Sequence, residues 1–150
     1  MLHKITILFF ITFSISLVSQ NKQSTLQEIE STINNYYDGY IYRDIYKLNL
    51  AFDNVHGTMK VPIKEDGNIT GYRNAYFKDL IPIWGNRKKL TPKVLKNCTL
   101  TILNLDIVDD LIASAKISMK VDKVTYIDIL SLDKINNYWK ITNKIYVVRK

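Results

Sequence analysis

Near its C-terminal end the chain runs Tyr126-Ile-Asp-Ile-Leu-Ser-Leu-Asp-Lys-Ile-Asn-Asn-Tyr-Trp-Lys-Ile-Thr-Asn-Lys-Ile-Tyr146. Two segments rich in β-forming residues flank Asn136-Asn137, and asparagine tolerates the positive φ that a two-residue type I′ turn requires. We therefore predict a β-hairpin that turns at these asparagines. This register sets three opposed pairs, which are Leu132 with Ile141, Asp133 with Lys140, and Lys134 with Trp139. The first two pairs bring apolar side chains and opposite charges face to face, as cross-strand pairing prefers.

Alternation along this hairpin predicts two faces of different character. The first is a core face with polar groups set into it, and it carries Leu130, Leu132, Trp139, Ile141, Ile145 and Val147 together with Tyr126, Asp128 and Asn143. The second is mixed, and it carries Ile127, Ile129 and Tyr146 beside Ser131, Asp133, Lys140, Thr142 and Lys144. A ligand would therefore lie against the first face, whereas the second would meet solvent and, in part, another protein surface.

Length and composition favour one domain with a proper core, because the chain has 150 residues of which 47% are hydrophobic. The net charge of +7 favours acidic partners in general. The densest basic cluster is Arg87-Lys88-Lys89 with Lys93 and Lys96, and no aromatic residues are interleaved with it as nucleic-acid stacking requires. We interpret the cluster as a solvated loop and expect no nucleic-acid partner.

The first residues have the layout of a signal peptide. A basic start that includes Lys4 precedes an uncharged apolar run over residues 5–18, and Ser19-Gln20 follows as a plausible cleavage point. The run is shorter than the about 20 apolar residues that a membrane span needs. We therefore predict a signal peptide over residues 1–19 and one exported domain over residues 20–150, secreted or periplasmic and free of the membrane. An uncleaved anchor is the alternative.

The N-terminal half of the predicted domain is mainly helical. Thr25-Leu-Gln-Glu28 has the pattern of a capping box. The residues that follow at spacings of three and four predict one apolar helix face made of Leu26, Ile29, Ile33, Tyr37, Tyr40 and Ile41. Asp44 is predicted to cap a short second helix in which Ile45, Leu48 and Phe52 share a face.

A hairpin and a third helix are predicted next. Asp66-Gly67 separates two strand-like runs and is a good hairpin signal, and Pro62 must lie on an edge because it cannot donate to a β-ladder. Asn74 is predicted to cap a helix over residues 75–81, which Pro82 and Gly85 would end.

Four strands complete the predicted fold, at 97–108, 111–121, 124–133 and 138–148, with turns at Asp109-Asp110 and Asp122-Lys123. Clean alternation in the second of these strands places Ala113, Ala115, Ile117 and Met119 on one face, which is typical of an antiparallel sheet covered on one side. The small alanines leave space between sheet and helices. The fold class is therefore α+β, with three N-terminal helices packed against a curved antiparallel sheet.

Seven pieces of the sequence carry a resemblance to a known family. They are Asn35-Tyr-Tyr-Asp-Gly39, Asp44 with Leu48, Phe52, Leu105-Asp-Ile-Val-Asp-Asp-Leu-Ile-Ala113, Tyr126-x-Asp128-x-Leu130-x-Leu132, Trp139-Lys-Ile141 and Asn143-Lys144. In this order the chain resembles the nuclear-transport-factor-2-like superfamily and, within it, the putative lumazine-binding family of small bacterial proteins. The resemblance implies a cone with an internal pocket and, commonly, a homodimer through the sheet. Relatives often carry His-Pro where this chain has Asp53-Asn54, and the family's name alone assigns no ligand.

The candidate ligand-binding residues are Tyr37, Tyr40, Phe52, Trp84, Tyr126, Asp128 and Asn143. A carboxylate among aromatic rings is poorly hydrated, and related folds use an aspartate with tyrosine donors for isomerase or dehydratase chemistry. In that picture Asp128 would move a proton, and Tyr37 or Tyr126 would stabilise the developing oxyanion. The alternative is that Asp128, Tyr126 and Asn143 form a structural hydrogen-bond network.

Three functions remain open on the sequence. The first is a binding module for a small apolar or heteroaromatic molecule. The second is a small isomerase or dehydratase, and the third is a dimeric structural protein whose contact face carries Ile127, Ile129 and Tyr146. No spacing of histidine and cysteine indicates a metal site, and no phosphate-binding loop indicates a cofactor. Cys98, the one cysteine, is expected to be a small buried or half-buried residue at the start of a strand.

Overall fold

The computed structural model describes residues 23–149, so the predicted signal peptide lies outside the described residues. Four helices occur in this range, which are α1 at 23–42, α2 at Ile45–Ala51, α3 at Phe77–Gly85 and α4 at Pro92–Leu95. Six strands accompany them, which are β1 at Thr58–Glu65, β2 at Asn68–Tyr76, β3 at Thr99–Val108, β4 at Ile112–Val121, β5 at Val124–Ile135 and β6 at Tyr138–Arg149. None of the helices within residues 23–149 is long and apolar enough to cross a membrane.

The six strands form one open sheet in the order β2-β1-β6-β5-β4-β3. Neighbouring strands are antiparallel except for a short parallel contact between β1 and β6, where Thr58 pairs with Asn143 and Met59 with Lys144. Beyond Met59 the described residues give β1 no partner on that side, so Pro62 lies on a local edge as predicted. The α+β class is confirmed.

The tight turns that the sequence predicted are confirmed, because each has residues in the left-handed region. Asn136 and Asn137 have φ values of 50° and 66° at the tip of the β5–β6 hairpin. The three opposed pairs predicted around this tip are also confirmed. Asp66 and Gly67, at 48° and 84°, turn the β1–β2 hairpin. Local turn chemistry therefore fixes the ends of the strands.

A β-bulge at Thr142 corrects the predicted faces of β6. Leu132 pairs with Ile141 but Ser131 pairs with Asn143, so Thr142 is one extra residue in β6. Its hydroxyl donates to the Asp133 carboxylate and lies 3.3 Å from the backbone carbonyl oxygen of Ser131. Every side chain after the bulge is on the opposite face from the one predicted.

Asn143, Ile145 and Val147 were therefore predicted on the wrong face, and so were Lys144 and Tyr146. Ile145 is 41% exposed and Val147 is 55% exposed, whereas Lys144 is buried. Strict two-residue alternation cannot continue through a bulge, since one extra residue exchanges the two faces.

Two predicted helix caps are also wrong. Thr25 lies inside α1, where its hydroxyl donates to the Asp110 carboxylate at 2.6 Å. Asn74 lies in β2 opposite Lys60, whose ammonium donates to the Asn74 side chain at 2.7 Å. Helix α3 consequently begins at Phe77, and it includes Pro82 instead of ending there. The third cap is confirmed, because the Asp44 side chain accepts from the Lys47 backbone N–H at 3.1 Å.

The core lies between the helices and one face of the sheet. The fully buried residues of the helices and of the chain between them include Ile29, Ile33, Tyr36, Leu48, Phe52 and Phe77. The predicted inner face of β4 is confirmed, because Ala113, Ala115, Ile117 and Met119 are all buried. Arg87-Lys88-Lys89 is exposed and Cys98 is half-buried, as predicted, whereas α4 was not predicted.

Candidate ligand-binding cavity

A cavity of about 290 Å³ lies between α1, α3 and the inner face of the sheet. The residues that line it come from every layer of the fold and are Tyr36, Tyr40, Met59, Trp84, Arg87, Met119, Tyr126, Lys144, Tyr146 and Val148. Five of them, Tyr36, Tyr40, Trp84, Tyr126 and Tyr146, carry aromatic rings with a polar hydroxyl or N–H. This cavity therefore offers both stacking surfaces and hydrogen-bonding groups to a small molecule.

A buried polar cluster forms the floor of the cavity. The Lys144 ammonium lies 2.7 Å from one carboxylate oxygen of Asp128, and the Tyr36 hydroxyl donates to the same oxygen at 2.9 Å. Lys144 also donates to the Tyr36 hydroxyl. Asp128 and Tyr36 are fully buried, and Lys144 is 4% exposed. The three groups therefore share hydrogen bonds that partly offset the loss of water around two charges.

The protonation of Tyr36 follows from its surroundings. Burial raises the pKa of the Tyr36 phenol well above its ordinary value, and the negative charge of Asp128 raises it further. Tyr36 therefore stays protonated and donates to Asp128. An ammonium has three N–H donors, and the described residues accept two of those of Lys144. The same ammonium lies 4.9 Å and 5.3 Å from the ring centroids of Tyr36 and Tyr146.

Aromatic rings and one guanidinium make up the walls and mouth. Tyr40 lies edge-on to Trp84 at a centroid distance of 5.8 Å and to Tyr126 at 6.2 Å. Arg87 donates to the Tyr40 hydroxyl at 2.9 Å. Burial and, next to it, neighbouring Tyr40 raise the pKa of Tyr126 from its ordinary value of 10.0 to about 12. At neutral pH Tyr126 is therefore a protonated phenol.

The cavity brings together three of the seven predicted ligand-binding residues, Tyr40, Trp84 and Tyr126. Phe52 is buried behind Tyr36 and Trp84 at centroid distances of 4.9 Å and 5.6 Å. Tyr37 is half-buried. Burial and, to a lesser extent, the nearby Cys98 thiol raise the pKa of its phenol.

The two predicted polar residues of the hairpin, Asp128 and Asn143, do not line the cavity. Asp128 is covered by Tyr36 and Lys144 and is absent from the described lining of the cavity. Asn143 donates its amide to the hydroxyl of Thr58 at 3.0 Å and to its backbone carbonyl at 3.3 Å. Asn143 therefore joins β6 to β1 and does not face the cavity.

Sequence reasoning missed seven lining residues, which are Tyr36, Met59, Arg87, Met119, Lys144, Tyr146 and Val148. Met119 was placed on the correct face but was not assigned to a site. A signal existed for Tyr36, because it lies seven residues after Ile29 and so returns to the same helix face. No local signal existed for Lys144, since its orientation depends on the bulge. Among residues 23–149, no three His, Cys, Asp and Glu side chains converge as metal ligands would.

Alkaline pH should destabilise the protein in part through Tyr126, one of the tyrosines whose pKa is raised. Its folded-state pKa of about 12 exceeds its ordinary value of 10.0, so the unfolded chain loses this proton first as the pH rises. The raised pKa of Tyr126 contributes to the free energy of unfolding. This contribution is complete below the unfolded-state pKa and is lost as the pH rises through the folded-state pKa. Urea midpoints measured from about pH 9 to about pH 12 should therefore fall.

The Tyr126→Phe variant tests whether Tyr126 causes the alkaline destabilisation, because it removes the titrating hydroxyl and keeps the ring. Its urea midpoint should fall less steeply with pH than that of the unmodified protein. Tyr138→Phe is the matched control, since Tyr138 is 71% exposed. An alkaline slope that Tyr126→Phe leaves unchanged would contradict the assignment.

The architecture is the nuclear-transport-factor-2-like fold. A protein of this kind of unknown function from Shewanella baltica OS155 is 21% identical, with a TM-score of 0.67 over 83% of this chain and 94% of that chain. One from Silicibacter pomeroyi DSS-3 is 12% identical, with a TM-score of 0.69 over 85% and 98%. One from Methylobacillus flagellatus KT is 20% identical, with a TM-score of 0.65 over 83% and 92%.

The family described as "Putative lumazine-binding" matches residues 24–147. The chain belongs to this family, as the resemblance in its sequence indicated. No curated protein matches it.

Proposed function

We propose that the protein binds a small aromatic or heteroaromatic molecule in the cavity between α1, α3 and the sheet. The observation that carries the proposal is the lining itself, in which Tyr40, Trp84 and Tyr126 surround a space whose floor holds the Lys144 ammonium. Ligand sites of proteins are mostly apolar cavities with a few placed polar groups, and the volume of about 290 Å³ lies just below their usual range of about 300–1,000 Å³. The family's description supports the same class of ligand.

Binding is favoured over isomerase or dehydratase chemistry by the position of Asp128. A general base must come within hydrogen-bond reach of the proton that it removes. Asp128 is fully buried and does not line the cavity, its Oδ2 atom accepts from Lys144 and Tyr36, and its Oδ1 atom is buried. We interpret Asp128 as the group that holds Lys144 in place. Asp128→Asn should then weaken binding only modestly.

Lumazine is the first probe, and its fluorescence gives a direct binding signal. The purified protein should bind it saturably, and Tyr126→Ala should weaken binding about tenfold because aromatic contacts contribute about 0.5–1.5 kcal/mol beyond area burial. Tyr138→Ala is the matched control, since Tyr138 does not line this cavity. Binding that Tyr126→Ala leaves unchanged would place the ligand elsewhere. Failure to bind lumazine or a panel of small aromatic compounds would reject the proposal.

We further propose that a second copy of the chain covers the outer face of the sheet. Apolar side chains there surround a surface depression of about 490 Å³ and include Ile127, Ile129, Ile145 and Val147 beside Tyr72. Ile129 is 48% exposed and Tyr72 is 57% exposed, and contiguous exposed apolar surface is typical of protein interfaces. Light scattering should give a dimer that Ile129→Lys dissociates. A monomer at high concentration would reject this contact.

Export is proposed from the sequence of residues 1–19. Mass spectrometry of the protein recovered from a bacterial host should give a chain that begins at Gln20 and is found outside the cytoplasm. An intact N-terminus on protein from the cytoplasm would reject export.

A further inference from the structure

Two arginines flank the same aromatic ring at the mouth of the cavity. The guanidinium carbon of Arg43 lies 5.1 Å from the centroid of Tyr40, and that of Arg87 lies 5.8 Å from it. Arg87 also donates to the Tyr40 hydroxyl, at 2.9 Å. Arg43 donates to two backbone carbonyls, those of Tyr40 and Lys88. These contacts hold both guanidinium groups close to the cavity.

Neither arginine has a carboxylate partner among residues 23–149. The four ion pairs of this part of the chain all use lysines, at positions 47, 134 and 144. Burial lowers the pKa of Arg43, and the nearby charge of Arg87 lowers it as well. Two like charges therefore lie beside each other, Arg43 partly buried and Arg87 exposed, with no carboxylate of the described residues paired to either.

The backbone of Arg43 is also held in a conformation that L-residues seldom adopt. Its φ is 61°, in the left-handed region, at the turn that ends α1. The Asp44 backbone N–H donates to the Gly39 carbonyl at 2.9 Å across this turn, which is the helix-ending geometry that glycine usually occupies. An arginine at this position costs about 1–2 kcal/mol relative to glycine. Helix termination alone therefore does not account for the side chain at this position.

The floor and the mouth differ in charge balance. The Lys144 ammonium is neutralised by Asp128 at 2.7 Å, whereas Arg87 lines the same cavity without a counter-ion within the described residues. The unbalanced positive charge of the cavity thus lies at its mouth. A planar guanidinium donates two parallel hydrogen bonds to a carboxylate, which matches both its shape and its charge.

We propose that the ligand is an aromatic carboxylate whose ring lies between Tyr40, Trp84 and Tyr126 and whose carboxylate is bound by Arg87, with Arg43 adding its charge. This inference rests on the proposed binding function and narrows its ligand class. The bond from Arg87 to Tyr40 orients the guanidinium, and the small cavity volume fits a molecule of one or two rings.

The test compares 4-hydroxybenzoate with its neutral isostere 4-hydroxybenzamide by calorimetric titration of the purified protein. The acid should bind at least about tenfold more tightly than the amide, because hydrogen bonds to charged groups contribute about 1.5–3 kcal/mol. Arg87→Gln should bring the two affinities close together and change the affinity for the amide less than about threefold. Lys89→Gln is the matched control, since it removes one positive charge from the same exposed loop. It should preserve the difference between the two compounds.

Each other outcome has a distinct meaning. Equal affinity for the acid and the amide in the unmodified protein would overturn the carboxylate inference and leave the binding function standing. If the Arg87→Gln variant binds neither compound and has an unchanged melting temperature, Arg87 shapes the cavity through Tyr40. This result would also overturn the carboxylate inference. Binding of neither compound to the unmodified protein would overturn the carboxylate inference, and the lumazine titration decides separately whether the binding function stands.

Discussion

Replacing Lys144 by methionine should lower the free energy of unfolding by about 3–5 kcal/mol. Methionine keeps an unbranched apolar side chain and removes the ammonium that lies 2.7 Å from Asp128. The carboxylate then remains fully buried with the Tyr36 hydroxyl as its one donor among the described residues. Because an unpaired buried charge is strongly destabilising, urea unfolding should show a lower midpoint with an unchanged slope.

A second substitution separates the loss of the pair from the loss of the side chain. Asp128→Leu combined with Lys144→Met removes both charges and should recover most of the stability, since apolar residues often replace a buried ion pair at little cost. Lys120→Met is the matched control, because Lys120 is exposed on β4, and it should change stability by no more than about 0.5 kcal/mol. A double variant that is no more stable than Lys144→Met would contradict this account.

The bulge that turns Lys144 inwards marks the limit of what alternation could predict. Around Asn136-Asn137 the register depends on a local turn, and the predicted pairs were correct. At Thr142 the register depends on contacts with distant parts of the chain. The Asp53 backbone N–H donates to the Ile141 carbonyl at 3.0 Å, and Thr58 pairs with Asn143 on the same side of β6. A bulge that is stabilised by such long-range contacts has no signature in the strand's own sequence.

Tyr37 was predicted in place of Tyr36 for a different reason. Here the sequence did contain the signal that selects the correct residue. A helix advances about 100° per residue, so Tyr36 lies about 20° from Ile29 around the axis and Tyr37 lies about 80° from it. The three-or-four spacing rule accepts both tyrosines, whereas the angle selects Tyr36. The importance of Asp128 was likewise predictable from a carboxylate within an apolar strand face, but its role depended on Lys144 and so was not.

Capping patterns failed where a polar side chain found a distant partner. Thr25 donates to Asp110, which lies at the turn between β3 and β4, and Asn74 accepts from Lys60 in the neighbouring strand. Asp44 has only its local role among the described hydrogen bonds and caps α2 as predicted. The sequence shows that such a residue is able to cap a helix, but tertiary contacts decide whether it does.

Replacing Phe52 by alanine should lower the free energy of unfolding by about 3–5 kcal/mol. Phe52 is 1% exposed, and its ring centroid lies 4.2 Å from that of Phe77 and 4.9 Å from that of Tyr36. Its backbone also bridges to Ile141 in β6. Alanine would remove the ring at the junction of α2, α3 and the sheet, and the surrounding groups would relax only partly into the space.

The same void would change the cavity, because Tyr36 and Trp84 separate Phe52 from the ligand space. Phe52→Ala should therefore weaken lumazine binding as well as stability, whereas Phe52→Leu, which refills much of the volume, should lose less of both. Tyr46→Ala is the matched control within α2, since Tyr46 is 72% exposed. Equal losses of unfolding free energy for Phe52→Ala and Phe52→Leu would show that the Phe52 ring does not support the cavity wall formed by Tyr36 and Trp84. Full binding by a destabilised Phe52→Ala variant would show that the core and the cavity are independent.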